Sequence, residues 1–337
     1  MQIASRISSW TSGETPTPPV ADTTQIVVTV TSTTNAKTRG IYSATAIDSS
    51  TPIVVDWGDG TTDSIIGDIS QLTHDYDPSL PGEYTITISD NISSLALSAN
   101  NSTWYGTTTR NGSYITSVQL SHSITSIPAY GFYNIQGLEY FNGGSYGTLT
   151  FGDHAFETAI SSYFGQPTVA FDFSGRTVAT IPTACFKGRT WVTDIRLPQG
   201  VTTIGQEAFR DSMSASWITG KSIAIPEGVT TCGNQSLRFG TGLSELTLPS
   251  TLTSLGSKCL QGLVNVSVIR SNATAAPSTS SDTFGNVNFT STWVGYNTKS
   301  SGNNTLYVPA GATGYTSNYW NDWLLNSSRC GFTKVEV

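Results

Sequence analysis

Charge is scarce in this chain of 337 residues: Lys, Arg, Asp and Glu together make up 12% of it, about half the usual share for a soluble domain. Ser, Thr, Asn and Gly fill those positions. Such a composition suits exposed β-structure kept soluble by hydroxyls and amides, and suits a compact helical enzyme poorly. Basic clusters are missing too. With 16 Lys and Arg against 23 Asp and Glu, the net charge is −7. A nucleic-acid binder needs a stripe of Lys and Arg, so no nucleic-acid partner is expected. Long acidic runs are also absent, and the charge reads as ordinary solubility. No stretch approaches the ~18 consecutive apolar residues of a membrane span, so membrane insertion is not expected. Met1 to Trp10 hold one cation, Arg6, with no apolar run behind it, unlike a secretory signal.

Catalytic signatures are missing as well. The chain has three histidines, His74, His122 and His154. It contains no G-x-S-x-G, no H-E-x-x-H and no glycine-rich phosphate loop. Asp and Glu stand singly, so a glycosidase-type carboxylate pair could be assembled only by the fold. The expectation is therefore a non-enzymatic protein without a cofactor, a carbohydrate-active enzyme being the outlying alternative. The four cysteines, Cys185, Cys232, Cys259 and Cys330, include no CxxC spacing, which argues against a zinc site.

What the chain does contain is a repeat. Six segments share one pattern: Ser126–Phe132, Thr150–Phe156, Thr180–Phe186, Thr203–Phe209, Thr231–Leu237 and Ser254–Leu260. Each runs hydroxyl, apolar (Cys once), Gly or Pro, two variable residues, a small residue, then Phe or Leu. The large anchors are separated by 24, 30, 23, 28 and 23 residues. Alternating runs follow several anchors: Ile195 to Pro198, Ile223 to Pro226, Leu246 to Pro249 and Val266 to Val268. Alternation of period two reads as a half-buried strand, and the Pro ends three of them. One such unit cannot bury its apolar face alone, whereas stacked units bury a continuous core. The small slot before each anchor leaves room for the neighbouring backbone.

The match Leu197-Pro-Gln-Gly-Val-Thr-Thr-Ile-Gly-Gln-Glu-Ala-Phe209 resembles the BspA-like class of leucine-rich repeats, with its LP, VTxIG and AF spacing. Two units depart from it: the 149–177 unit lacks the LP ending, and the 229–251 unit has Cys232 and Leu237 in the apolar slots. Leu306 to Tyr315, with Trp320 and Trp323, resembles the closing segment of the same class. A terminal repeat needs such a cap. In this frame Cys185 and Cys259 fill the same slot three rungs apart, on the order of 15 Å by strand spacing, beyond the ~7 Å reach of a disulfide. Cys232 sits in a different slot. Three buried free thiols are expected, and these fit assembly in a reducing cytoplasm.

Upstream, Ile26–Val30, Ile53–Trp57 and Tyr84–Ile88 are strand-like. Asp56-Trp57-Gly58-Asp59-Gly60 is a tight-turn signal. A further strand pair is expected from His74 to Tyr84. The WGDG turn followed by Pro81-Gly-Glu-Tyr84 resembles a PKD (polycystic kidney disease) domain, which implies an immunoglobulin-like sandwich used for spacing or contact. Hairpin-turn chemistry accounts for Asp56, Asp59 and Asp63, which lack the regular ligand series of a calcium loop; no metal site is expected.

The expected fold is thus mainly β: an N-terminal immunoglobulin-like (PKD) β-sandwich, then an irregular leucine-rich-repeat solenoid with a C-terminal cap. The expected divisions are 1–22 (arm and Pro-rich linker), 23–92 (sandwich), 93–305 (solenoid) and 306–337 (cap). Loop aromatics outside the core slots, Trp104, Tyr105, Trp191 and Trp217, are the candidate ligand-binding residues, since such rings can anchor a partner. The functional expectation is a structural or adhesion protein of a phage virion (tail, fibre or capsid decoration). Its arm would contact other virion proteins, and its solenoid a host surface protein or glycan. A bacterial cell-surface adhesin is the alternative.

Overall fold

A computed structural model of the chain describes residues 23–30, 38–98, 113–135, 137–158, 168–214, 220–263, 265–284, 304–317, 319–326 and 332–337. The expected arm, residues 1–22, and Cys330 lie outside the described residues.

Seven strands open the fold: β1 (Thr24–Val30), β2 (Thr38–Ala46), β3 (Ile53–Asp56), β4 (Thr62–Ile65), β5 (Ile69–Asp75), β6 (Gly82–Ile88) and β7 (Ile92–Ala96). In β1 burial alternates residue by residue, with Ile26, Val28 and Val30 inward, as period-two patterning requires. β1, β6, β3 and β4 are neighbours in one sheet, and β7, β2 and β5 in another. All pairs within these two groups are antiparallel. The pair of strands expected around His74 to Tyr84 exists, but β5 and β6 lie in different sheets.

From Ser113 onward the chain alternates longer and two-residue strands. The longer ones are β8 (Ser113–Gln119), β10 (Tyr140–Asn142), β12 (Val169–Asp172), β14 (Val192–Arg196), β16 (Lys221–Ala224), β18 (Leu243–Leu248) and β20 (Val268–Ser271). The short ones are β9 (Ser126–Ile127), β11 (Thr150–Phe151), β13 (Thr180–Ile181), β15 (Thr203–Ile204), β17 (Thr231–Cys232) and β19 (Ser254–Leu255). These six dipeptides are the hydroxyl–apolar positions of the six repeated segments. Each kind of strand pairs in parallel with its own kind in the next unit, except that the long-strand sheet is interrupted between β14 and β16 and the short-strand sheet between β11 and β13. The result is a solenoid with a long-strand face and a short-strand face.

The sheets do not stop at residue 92. β8 pairs antiparallel with β1, and β9 pairs in parallel with β7. Both N-terminal sheets therefore continue into the solenoid, and their apolar residues belong to one core cluster that runs from Ile26 to Phe332. The first module covers the open end of the stack, which would otherwise present unpaired edges to water.

Inside the stack the anchors form a column. Phe132, Phe156, Phe186 and Phe209 stack in series with ring centroids 5.5, 5.1 and 5.3 Å apart. Leu237 and Leu260 continue the column, both buried. The preceding slot is small because backbone passes close by: a Cβ on Gly131 would lie 3.0 Å from the Pro128 carbonyl oxygen.

The turn that carries each anchor has an unusual backbone. The residue two before the anchor has positive φ in every unit: Tyr130, His154, Ala184, Glu207, Gln235 and Lys258, between 52° and 61°. This left-handed region costs a non-Gly residue about 1–2 kcal/mol. The compensation is a one-way ladder. Glu207, Phe209 and Asp211 donate N–H bonds to the carbonyls of Asn234, Ser236 and Arg238 in the next unit. Gln206, Ala208 and Arg210 accept the equivalent bonds from Ala184, Phe186 and Gly188.

Two buried arginines tie neighbouring units together, Arg176 from the unit with the 30-residue anchor spacing and Arg189 from the regular unit after it. Arg176 is 1% exposed and donates to the carbonyls of Gly143, Tyr146, Ser121 and His122 at 2.5 to 3.3 Å. Arg189 is 4% exposed and donates to Phe156, Ile135 and Phe132 at 2.5 to 3.2 Å. Burial lowers the Arg189 pKa to about 9, Cys185 opposing the shift. Removing a charge from water is costly, and here several main-chain dipoles from neighbouring units offset it.

At the far end the strand expected at 266–268 is displaced. β20 begins at Val268, and Ile269 and Ser271 face Leu246 and Leu248. A serine occupies the inner slot because the cap satisfies it: Ser271 Oγ lies 2.7 Å from the Tyr315 hydroxyl, which also donates to the Ala273 carbonyl. β21 (Thr305–Val308), a short wide helix (Trp320–Leu325) and β22 (Thr333–Glu336) complete the cap. The Trp320 indole packs edge-on against Phe284 and donates to the Pro277 carbonyl.

Candidate functional site

The solenoid offers three outward surfaces, and they differ in kind. The short-strand face is nearly monotonous. Thr150, Thr202, Thr230, Thr253 and Ser278 recur along it, and each hydroxyl donates to a carbonyl of the preceding unit. Those hydroxyls are part of the ladder. The long-strand face carries separate charge groups: Arg196 with Asp194 and Asp172, and Arg270 with Glu245, its guanidinium over the Tyr307 ring.

The third surface is the turn face. Its side chains come from the left-handed position and from the residue after the anchor. The first column reads Tyr130, His154, Ala184, Glu207, Gln235, Lys258; the second reads Tyr133, Glu157, Lys187, Arg210, Arg238, Gln261. All but the buried Ala184 are half-buried. The left-handed backbone and the i to i+3 turn place both columns outward, one unit above the next.

Contacts along this face form a chain. Tyr130 stacks on His154 at 4.6 Å, and Tyr133 meets Tyr130 edge-on. His154 Nδ1 is paired with Glu157 Oε2. Lys187 lies 3.6 Å from Glu157 and 2.8 Å from Glu207. Glu207 also pairs with Arg210, and Arg210 with Asp211, each at 3.2 Å. Gln235 donates to Glu207 and accepts from Arg238, whose guanidinium lies 4.2 Å above the Phe239 ring centroid. Arg238 Nε and Gln261 Oε1 are buried without a hydrogen-bond partner among the described residues.

The electrostatics follow from this packing. Burial pushes Glu207 up, but the Lys187 and Arg210 cations outweigh it and hold the carboxyl below its ordinary value. Burial pulls Lys187 down, and Glu207 and Glu157 reverse the direction, so it is raised. Asp211 is raised because its burial outweighs the pull of Arg210 and Arg238. Chemically, the strip can present rings and fixed hydrogen-bonding groups to a macromolecule.

The aromatics singled out from sequence fare differently. Trp104, Tyr105 and Trp217 lie outside the described residues. Trp191 is half-buried just ahead of β14, its carbonyl accepting the Val169 N–H. The turn-face residues Tyr130, Tyr133 and His154 were not anticipated. The signal existed, since they occupy variable repeat positions at fixed offsets from Phe132 and Phe156.

In the N-terminal module the three aspartates serve the hairpin. Asp56 accepts from the Gly58 N–H, Asp59 from the N–H and hydroxyl of Thr61, and Asp63 from the Trp57 indole. His74 stacks on Trp57 at 4.7 Å and pairs with Asp59 at 2.7 Å.

The sequence profile of the BspA type leucine rich repeat region matches residues 82–163, 111–221 and 168–290, with six copies. No match was found among curated proteins. Among solved structures, similarity is found to a leucine rich repeat protein of T. pallidum, at 17% identity and a TM-score of 0.31, covering 47% of this chain and 63% of that one. A leucine-rich repeat protein of Bacteroides ovatus ATCC 8483 is similar at 16% identity, TM-score 0.29, over 73% of this chain and 71% of that one. A leucine rich cell surface protein of Faecalibacterium prausnitzii A2-165 is similar at 14% identity, TM-score 0.21, over 66% of this chain and 79% of that one. With its repeats matched across most of the described solenoid, this chain belongs to the BspA-type leucine-rich repeat family.

Proposed function

We propose that the chain is a non-enzymatic recognition protein that binds a macromolecular partner through its turn face. One observation carries the reading. The outward turn position holds Tyr, His, Ala, Glu, Gln and Lys in six successive units, while the slots beneath repeat small residue and Phe or Leu. A position that only closed the turn would repeat as the core does. A surface that changes at every step presents a pattern to be recognised. The side chains are tied to one another before any partner arrives, which lowers the ordering cost of association.

The setting we propose is a phage virion, with residues 1–22 as the attachment arm to other virion proteins and the solenoid facing a host surface protein or glycan. The burial of Cys185, Cys232 and Cys259 is compatible with folding in a reducing cytoplasm. A bacterial cell surface is the second setting, since exposed recognition suits it equally. On this reading the N-terminal module is PKD-like, supported by its WGDG hairpin and the Pro81 to Tyr84 strand entry. Its continuous sheets make it the solenoid's first cap as well as a spacer.

Fractionation tests the setting. The chain should sediment with intact phage particles and be absent from washed envelopes of the producing cells; recovery only in the envelope fraction excludes the virion. Turnover on a glycan panel, abolished by a single carboxylate substitution, would overturn the non-enzymatic reading.

A further inference from the structure

We propose that the open edge of β22 is a self-association surface, pairing antiparallel with β22 of a second copy of this chain about a two-fold axis at Val335. The surface is separate from the turn face and does not depend on recognition there. β22 is the last strand of the sheet β16-β18-β20-β21-β22, and among the described residues it pairs with β21 alone. Its hydrogen-bond parity is fixed. Thr333 and Val337 donate to the carbonyls of Asn304 and Val308, and the Val337 carbonyl accepts from Ala310. Bonding to one neighbour alternates along a strand, so the odd-numbered residues of β22 bond to β21. The N–H and carbonyl groups of Lys334 and Glu336 therefore point along the open edge. An edge of this kind is a template for another strand.

The side chains select which strand. Lys334 and Glu336 stand opposite the buried Leu306 and Val308 of β21. They are paired at 2.8 Å, and Glu336 also accepts the Gly311 N–H. Charges at such positions obstruct pairing with an apolar strand. Against a second copy they match. Opposite residues in an antiparallel pair alternate between those that exchange both main-chain bonds and those that exchange none. Lys334 and Glu336 must be of the first kind. Centring the pair on Lys334 or on Glu336 satisfies this rule but sets like charges opposite each other, which is destabilising. Centring it on Val335 sets Lys334 opposite Glu336 of the second copy, and Glu336 opposite its Lys334. Val335, 37% exposed, then meets its own copy, and Val337, 70% exposed, meets Thr333. A single strand pair falls short of the ~1,200 Å² of a tight complex, so the association is weak and rises with concentration.

Sedimentation velocity of the full chain over a dilution series tests the surface. The mass should climb with concentration from the 35.8 kDa of one chain towards twice that value. Lys334→Glu and Glu336→Lys each set like charges opposite across the two-fold axis, and each should weaken self-association at least ~10-fold. Mixing the two single variants should restore association, because their edges are complementary. The double exchange Lys334→Glu/Glu336→Lys should also associate with itself, but not with labelled native chain, against which its charges are alike. Circular dichroism and thermal midpoints establish that each chain is folded; if a single variant does not fold, the double exchange carries the test. A native chain that stays single at every concentration would overturn the proposal. So would a dimer that is equally strong in the folded single variants, or a double exchange that pairs with the native chain as well as with itself.

Discussion

Phe186 and Phe209 lie face to face, their centroids 5.3 Å apart and their planes 2° from parallel. They sit 23 residues apart in sequence and one unit apart in the stack. The pair shows how the repeat works: each unit supplies one ring, and the next unit covers it.

Phe209→Ala should therefore cost about 3–5 kcal/mol, the range for a buried aromatic truncation. Phe209→Leu should cost under about 1.5 kcal/mol, as volume-similar apolar exchanges do, because Leu237 and Leu260 already fill that slot. Urea unfolding monitored by circular dichroism measures both. Equal losses for the two variants would mean that the column is not a shared core.

Arg189→Leu should destabilise by roughly 3 kcal/mol or more, although it replaces a charged residue by an apolar one. The carbonyls of Phe132, Ile135 and Phe156 lose their donor, and each buried unsatisfied group costs about 1–3 kcal/mol. A gain in stability would show that the guanidinium is dispensable.

Lys258, at φ 55°, reports on the left-handed turn. Lys258→Gly should leave stability at or above that of the native chain, since glycine adopts this conformation without penalty. Lys258→Val should lower it by about 1–2 kcal/mol. The same pair of substitutions at exposed Thr202, where the backbone is not left-handed, should show the opposite order.

The acid limb of stability should depend on Glu207. Its carboxyl is held below the ordinary value by Lys187 and Arg210. The stabilisation is thus fully present above the unfolded value, about 4.3, and fades as pH falls through the lower folded value. Glu207→Gln should flatten that limb in urea titrations between about pH 5 and 2. Asp211, raised by burial, contributes with the opposite sign. An unchanged limb in the variant would remove Glu207 from the network.

Much of this was readable beforehand, and the reasons are physical. The hydroxyl–apolar dipeptides and the Phe or Leu anchors recur because stacking imposes one geometry on every unit. Ser126-Ile127 and Thr203-Ile204 therefore announce themselves. The continuity of the sheets was hidden: β1 meets β8 across roughly ninety residues, and antiparallel pairing between unlike segments leaves no period. Arg176 and Arg189 were hidden because their partners are main-chain carbonyls, which carry no sequence signal. The left-handed turns gave none either, since Tyr, His, Glu, Gln and Lys occupy them in place of glycine. Trp191 was prominent as an aromatic, yet the connected strip lies at positions marked only by their variability.

The decisive measurement compares two faces of the same solenoid. Labelled wild-type chain is titrated onto intact cells of a bacterial panel. The strain that binds it is then titrated with Lys187→Glu/Arg210→Glu on the turn face and with Thr202→Val/Thr230→Val on the hydroxyl face, thermal midpoints being taken alongside. Recognition through the turn face predicts at least a ~10-fold loss of affinity, about 1.4 kcal/mol, for the charge-reversed chain and less than a ~2-fold change, about 0.4 kcal/mol, for the threonine variant. Equal affinity of all three chains, or a loss confined to the threonine variant, would contradict it.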